Sequence, residues 1–211
     1  MSSVPGFARE IGAIARAAGA AILAIYHSDF AVQTKADESP LTAADLAAQQ
    51  VIVSALAKLH PALPVLSEEA ATLAWSERRH WSRYWLVDPL DGTREFVKRN
   101  GEFTVNIALI DQHRCVLGVV LAPVTGELYV AEFGQGAWLQ AQADGDWERI
   151  GTRALGSPPI AAGSRSHGGS QDGLLTSLIG GDHQRVPLGS SLKFCLIARG
   201  AADVYLRLGP T

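Results

Sequence analysis

At 211 residues, 47% hydrophobic and 18% charged, the chain can fill a substantial core and has room for one large or two small domains. Its 18 Lys and Arg against 21 Asp and Glu give a net charge of -3, which argues against a general binder of nucleic acid polymers or of a membrane surface. Cys115 and Cys195 stand singly with no CxxC, as expected of free thiols in a reducing compartment.

Taken in order, Phe7, Ile11, Ile14, Ala18, Ile22 and Ile25 recur at helical spacing behind Pro5, a residue tolerated in a first turn. This amphipathic helix is interrupted by Arg16 and has no basic region before it, so it is not read as a secretory leader. No run reaches the ~18 apolar residues of a membrane span. A cytoplasmic, soluble protein is the expectation. Residues 30–41 read as a loop or short hairpin. Thr42 and Asp45 fit a capping box ahead of a second helix striped by Leu46, Ile52, Val53, Leu56 and Leu59. Asp45 taken alone reads as that cap, and a helix start can also present a carboxylate to a nearby site.

Val65-Leu66 make a short strand that ends in Ser67-Glu68-Glu69. Glu68 and Glu69 alone would be a solvated surface pair. A second apolar run, Tyr84–Val87, passes straight into Asp88, Pro89, Leu90, Asp91, Gly92 and Thr93. It reads as a buried strand stopping at a polar site. Carboxylates are costly to bury unpaired, and no Lys or Arg lies between Asp88 and Asp91, so their partner is expected to be a cation from outside the chain. Two strand ends in one sheet can bring Glu68 beside Asp88. Arg94–Val97 look like the first turn of a helix, whose opening at Gly92-Thr93 offers backbone N–H groups to an anion. Carboxylates beside an anion site are reconciled by a divalent cation between them. Mg²⁺ wants oxygen ligands and binds through carboxylates plus substrate phosphate, so metal-assisted chemistry on a phosphate is expected. A bare DxxD is a weak signal by itself. Pro89 breaks a calcium loop, and GxxxxGK[ST], HExxH and GxSxG are all missing. The six histidines show no ligand spacing.

From Phe103 the runs 104–110, 116–122, 127–131 and 136–139 read as an antiparallel meander, with Asp144-Gly145 as a further hairpin turn. Pro158-Pro159 after Gly156 mark a domain boundary, giving residues 1–156 with the carboxylates and 157–211 as the start of a substrate domain. There, residues 160–163 read as strand and 170–179 as helix. Ser190 reads as the cap of a helix through Ala198, and 203–206 as strand, an α/β arrangement. Ser190, Lys193, Arg165 and Arg207 are each ordinary caps or exposed charges taken singly. Together they suit a phosphorylated ligand.

VDPLDGT resembles the D-P-x-D-G-T signature of the lithium-sensitive, magnesium-dependent phosphatases of the inositol monophosphatase superfamily. The longer strings KADESPLTAAD, VLSEE, HWSRYWLVDPLDGTREFVKRNGEFTVNIALID and GSSLKFCLIARGAADVYLRLGPT are similar to its CysQ-type 3'(2'),5'-bisphosphate nucleotidases, along nearly the whole chain. The resemblance implies a layered α/β (α+β) sugar-phosphatase-like αβαβα sandwich. It implies Glu68, Asp88, the Leu90 carbonyl and Asp91 as metal ligands, with Glu69 behind Glu68. Asp45 and Thr93 would polarise the attacking water, and the Gly92 and Thr93 N–H groups would hold the scissile phosphate. Ser190, Lys193 and Arg207 would hold the nucleotide and its other phosphate, with Arg165 in a loop of variable form. The implied substrate is adenosine 3',5'-bisphosphate, in sulfate assimilation, with an inositol or sugar phosphate as alternative. A non-catalytic nucleotide binder is the second functional class. Relatives are described as peripheral on the cytoplasmic face of the inner membrane, and oligomeric state is not fixed. The family pattern continues into a W-D-x-A-A-G stretch whose Asp completes a second metal site. Thr211 precedes it, so the resemblance implies a truncated chain with an incomplete second domain, an exposed sheet edge, poor solubility and reduced activity.

Overall fold

In the computed structural model, residues 3–28, 32–34, 40–59, 61–70, 73–164 and 172–208 are described. The opening periodicity folds as α1 (Gly6–Tyr26), with Pro5 immediately before the first turn. Its inward stripe is Ala8, Ile11, Ala15, Ala18, Ile22 and Tyr26, joined by Gly12 and Gly19. A Cβ on Gly19 would lie 2.5 Å from Leu121 Cδ2, and one on Gly12 2.9 Å from Leu128 Cδ2. The two glycines therefore let α1 lie directly on the sheet beneath it. Two short strands, β1 (Val32–Thr34) and β2 (Pro40–Thr42), pair antiparallel. The second leads into α2 (Ala43–Leu56), which buries Ala44, Asp45, Ala48, Ile52 and Leu56.

The main sheet has seven strands in sequence order: β3 (Val65–Ser67), β4 (Arg83–Asp91), β5 (Thr104–Asp111), β6 (Arg114–Leu121), β7 (Leu128–Glu132), β8 (Gly136–Gln140) and β9 (Trp147–Ile150). All neighbours pair antiparallel except β3 with β4. The connection from β3 to β4 holds a short helix, α3 (Trp75–Arg78). Another, α4 (Thr93–Val97), follows β4. Alternation along each strand decides what is buried. Trp85, Val87, Val105, Ile107, Leu117, Val119, Val130 and Trp138 join the α1 and α2 stripes in one core. The intervening residues face the other way. Tyr129 and Leu139 are covered there by Cys195. Leu86, at 42% exposure, borders an open apolar groove of about 640 Å³ with Leu66, Ala108 and Val120. Thus the run Tyr84–Val87, expected to be buried throughout, is buried on one face only.

A second, three-stranded sheet is wholly parallel in the order β11-β10-β12. It comprises β10 (Ile160–Ser164), β11 (Gln184–Leu188) and β12 (Val204–Tyr205), linked through α5 (Asp172–Ile179) and α6 (Leu192–Ala198). Parallel neighbours need such crossovers, and these residues supply them. Salt links join the two parts. Arg199 Nη1 donates to Glu127 Oε1 at 2.7 Å and to the Tyr129 hydroxyl at 3.2 Å. Asp203 takes a two-pronged contact from Arg153, at 2.7 and 2.8 Å, and the Ile160 N–H at 2.6 Å.

Three local expectations are corrected. Strands β9 and β11 and helix α3 carry no strong apolar period; only the hairpin turn at Asp144-Gly145 pointed to β9, and nothing pointed to β11 or α3. Strand β4 does not stop at Asp88 but runs to Asp91 through an irregularity in its ladder. The residue before α6 is Ser191, not Ser190; Ser190 adopts φ 46°, and its Oγ accepts the Leu192 N–H at 3.5 Å. The Thr42 side chain of the expected capping box and Arg165 lie outside the described residues.

Candidate active site

The parallel pairing of β3 and β4 sets Ser67 opposite Val87, and the ladder continues as the Glu68 N–H donates to the Val87 carbonyl at 3.1 Å. Glu68 and Asp88 therefore emerge from adjacent strands at the same level, as the two strand-end motifs suggested. Beyond Asp88 the register breaks: Asp88 pairs with Asn106 and Asp91 with Thr104. Three residues of β4 thus advance against two of β5. Pro89, which has no N–H to give, sits in this bulge, where a ladder can spare one. The Leu90 side chain is 1% exposed and pins the bulge into the core.

Gly92 then turns the chain at φ 93°, in the left-handed region. A Cβ there would also meet the Glu102 carbonyl at 3.0 Å and Ser190 Cβ at 3.1 Å, so the position demands glycine. Helix α4 begins at Thr93, whose hydroxyl donates to the Leu90 carbonyl at 3.4 Å. With five residues α4 has little dipole, so any anion held at Gly92-Thr93 would meet individual N–H groups rather than a helix field.

The electrostatics centre on Asp88. One of its carboxylate oxygens is buried without a hydrogen-bond partner among the described residues. Burial, followed by the negative charges of Asp91, Glu68 and Asp45, pushes its pKa up to about 8, while the Leu90 N–H pulls the other way. Asp45 is fully buried in the first turn of α2 and reaches this group from the helix layer. Asp91 is also raised, first by burial; the Ser191 N–H and Lys193 oppose that shift, and Glu95 and Glu68 add to it. The four predicted carboxylates thus act on one another, while Glu69 sits in the turn after β3, half-buried. Among the described residues no three acidic, histidine or cysteine side chains converge closely enough to form a ready-made cage. What fits a cation is the donor chemistry. Oxygen ligands are gathered from three elements, and one is an orphaned buried carboxylate oxygen that can be satisfied by a cation or a proton.

Facing the acids is a small cationic group. Lys193, 8% exposed, donates from Nζ to the Leu188 carbonyl at 3.3 Å and to that of Ser190, and lies 5.6 Å from the Tyr205 ring centre. Burial lowers its pKa, Asp91, Glu95 and Glu102 raise it, and Arg207 lowers it. Arg207, just past β12, is therefore close enough for its charge to reach Lys193. Ser190, Lys193 and Arg207 lie together at one end of the second sheet, where the sequence grouped them.

Several supporting residues were missed. Glu102 Oε2 accepts the Gly189 N–H at 2.8 Å. Ser191 Oγ donates to Asn106 Oδ1 at 2.8 Å and stands 2.8 Å from Thr104 Oγ1. The available signal was Thr104 and Asn106 at i, i+2 in the otherwise apolar run 104–110, which puts two polar side chains on one face.

A profile of the inositol monophosphatase family matches residues 7–211, and the chain belongs to that family. Nearer relatives narrow it. The chain is 50% identical over 210 residues to the 3'(2'),5'-bisphosphate nucleotidase CysQ of Shigella flexneri, covering 96% of this chain and 80% of that one. It is 50% identical over 205 residues to the protein of the same name from Escherichia coli K12, with the same coverage. The crystal structure of CysQ from Bacteroides thetaiotaomicron, described as a bacterial member of the inositol monophosphatase family, superposes with a TM-score of 0.81. Identity there is 39%, over 97% of this chain and 80% of that one.

Proposed function

We propose that this protein is a Mg²⁺-dependent 3'(2'),5'-bisphosphate nucleotidase that removes the 3'-phosphate of adenosine 3',5'-bisphosphate, giving AMP and phosphate. The names of its relatives support the substrate. The carrying observation is the buried, unpartnered Asp88 oxygen amid Asp45, Glu68 and Asp91, with Lys193 and Arg207 across from them. A cation site and an anion site side by side suit a ligand with two phosphates, one to be cleaved and one to be held.

On this reading Glu68, Asp88, the Leu90 carbonyl and Asp91 would hold magnesium, which would supply Lewis acidity and lower the pKa of the attacking water. The Asp45 carboxylate would accept the proton of the attacking water, and the Thr93 hydroxyl would orient that water. The Gly92 and Thr93 N–H groups meet the phosphoryl oxygens, where donors fixed before the reaction cost no reorganisation. Thr93 serves both as hydroxyl and as N–H, and its contact with Leu90 keeps it beside a ligand carbonyl. Ser190, Lys193 and Arg207 hold the second phosphate and the nucleoside. The division after Gly156 would make residues 1–156 the catalytic part and 157–211 the substrate-binding part. A role in sulfate assimilation follows from the substrate. Among the described residues no helix is long and apolar enough to cross a membrane.

Phosphate release from adenosine 3',5'-bisphosphate and from inositol 1-phosphate, measured with Mg²⁺, with EDTA and with added Li⁺, tests this. Preferential, Mg²⁺-dependent and Li⁺-sensitive release from the nucleotide is expected. Preference for inositol 1-phosphate would reassign the substrate, and binding without release would make the protein a nucleotide binder.

A further inference from the structure

The two halves of the site belong to different sheets, and their spacing has to be fixed by something. Strand β4 carries Asp88 and Asp91. Directly opposite them on β5 stand Asn106 and Thr104, one on each side of the bulge. Both β5 side chains turn to the same atom, Ser191 Oγ. It donates to Asn106 Oδ1 at 2.8 Å, so the Thr104 hydroxyl, 2.8 Å away, is the donor to it. The chain of donors runs Thr104 to Ser191 to Asn106 with each hydroxyl proton used once. Thr104 is fully buried, which makes an unmade bond there expensive. The Ser191 backbone N–H, meanwhile, donates to the Asp91 carboxylate. On either side of Ser191 are Ser190 and Lys193, the groups assigned to the second phosphate. Ser191 is thus tied by its side chain to the strand opposite the acids, by its N–H to an acid, and by its chain neighbours to the anion site.

We infer that Ser191 is a positioning residue that sets the distance between the carboxylate cluster and the Lys193 group, and thereby the preference for a substrate with two phosphates over one. This rests on the proposed bisphosphate nucleotidase activity. A monophosphate such as 3'-AMP lacks the phosphate that Ser190, Lys193 and Arg207 would hold and reaches that half through its nucleoside alone, so it depends less on the spacing. A bisphosphate must meet both halves at once, so a displacement of α6 by a fraction of an ångström is felt in its binding. Glu102, which accepts the Gly189 N–H, supports the same loop from its other end.

The test compares kcat/KM for adenosine 3',5'-bisphosphate with that for a monophosphate, 3'-AMP, in wild type, Ser191→Ala, Thr104→Val and the double variant. Thr104→Val keeps shape and removes only the hydroxyl, so it probes the tie from the far end if Ser191→Ala fails to fold. The expected result is a fall of about tenfold in the bisphosphate-to-monophosphate ratio in each single variant, carried by KM of the bisphosphate. The double variant should fall little further, because one chain of bonds is broken twice. A ratio within twofold of wild type in both folded single variants overturns the inference, as does full additivity. If wild type itself shows no preference for the bisphosphate, it is the proposed function that fails, and that is seen before any variant is compared.

Discussion

In the proposed reaction, Asp88 is the residue on which the chemistry turns. A carboxyl with a pKa near 8 holds its proton at neutrality unless something better than a proton occupies the same place. Replacing Asp88 by Asn should lower kcat/KM by ~100-fold or more at saturating Mg²⁺, since metal-based charge stabilisation is worth several kcal/mol and each ~1.4 kcal/mol is tenfold. Wild-type turnover in this variant would remove Asp88 from the proposed metal site. The pH dependence has a definite sign. Because the folded pKa lies above the carboxylate value of 3.8, the folded state binds the extra proton between those limits. The group's contribution to stability is complete below that lower value and is lost as pH rises towards about 8. Without divalent cations the melting temperature should therefore decline over this interval, and Asp88→Asn should flatten the decline. Mg²⁺, competing with that proton, should bind more tightly from pH 6 to 8 and release protons on binding, measurable by calorimetry in buffers of different ionisation enthalpy. Mg²⁺ affinity that does not change over that range would contradict the raised pKa.

At the scale of elements, the decisive contacts are between α1 and the strands. Gly12 and Gly19, seven residues apart, fall on one side of the helix and leave no room for a methyl group against Leu128 and Leu121. Gly19→Ala should destabilise by about 1–3 kcal/mol through overpacking, despite the better helix propensity of alanine. Chemical denaturation reads this directly, and a stabilised variant would show that α1 can ride higher on the sheet. The helices were readable because apolar residues at 3.6 spacing have few other uses. The meander was readable for the same reason at period two. Strand β9, with Trp147, Glu148, Arg149 and Ile150, and β11, with Gln184 and Arg185, were not: each pairs along one edge of its sheet, so no apolar face marks it. The bulge in β4 was equally hidden. An apolar run followed by Asp-Pro gives the same string whether the strand ends or is merely interrupted, and only the partner strand settles which.

For the whole molecule, the question is how two sheets make one site. Arg199 on Glu127 and Arg153 on Asp203 link residues 72 and 50 positions apart. Asp203 also accepts the Ile160 N–H, and these donors hold its carboxyl well below the usual carboxylate range. On the same side of the large sheet the groove bordered by Leu66, Leu86 and Val120 remains open to solvent. An apolar surface of that kind attracts apolar ligands and other chains. The chain of residues 1–211 should therefore enhance the fluorescence of a hydrophobic dye in its folded state, and Leu86→Lys should reduce that enhancement several-fold. Equal dye binding by the two proteins would place the apolar surface elsewhere.

The order of residues was enough for the parts whose chemistry is local. Asp88, Asp91 and Gly92 are needed as such in one short stretch, and their string carried the family with it. Glu68 joined them because strand ends in one sheet share a level. Lys193, Ser190 and Arg207 could be grouped in the sequence as suited to a phosphorylated ligand, but nothing in their spacing says which carboxylates they face. Tertiary structure decided that. It brought Asp45 up from the helix layer and exposed one face of the Tyr84–Val87 run. It also gave Ser191 partners 85 and 87 residues away. The physical reason is the range of the interactions. Periodicity and turn chemistry act over a few residues and are written in order, whereas a hydrogen bond or a shifted pKa depends on groups that only the packing of one sheet against another makes neighbours.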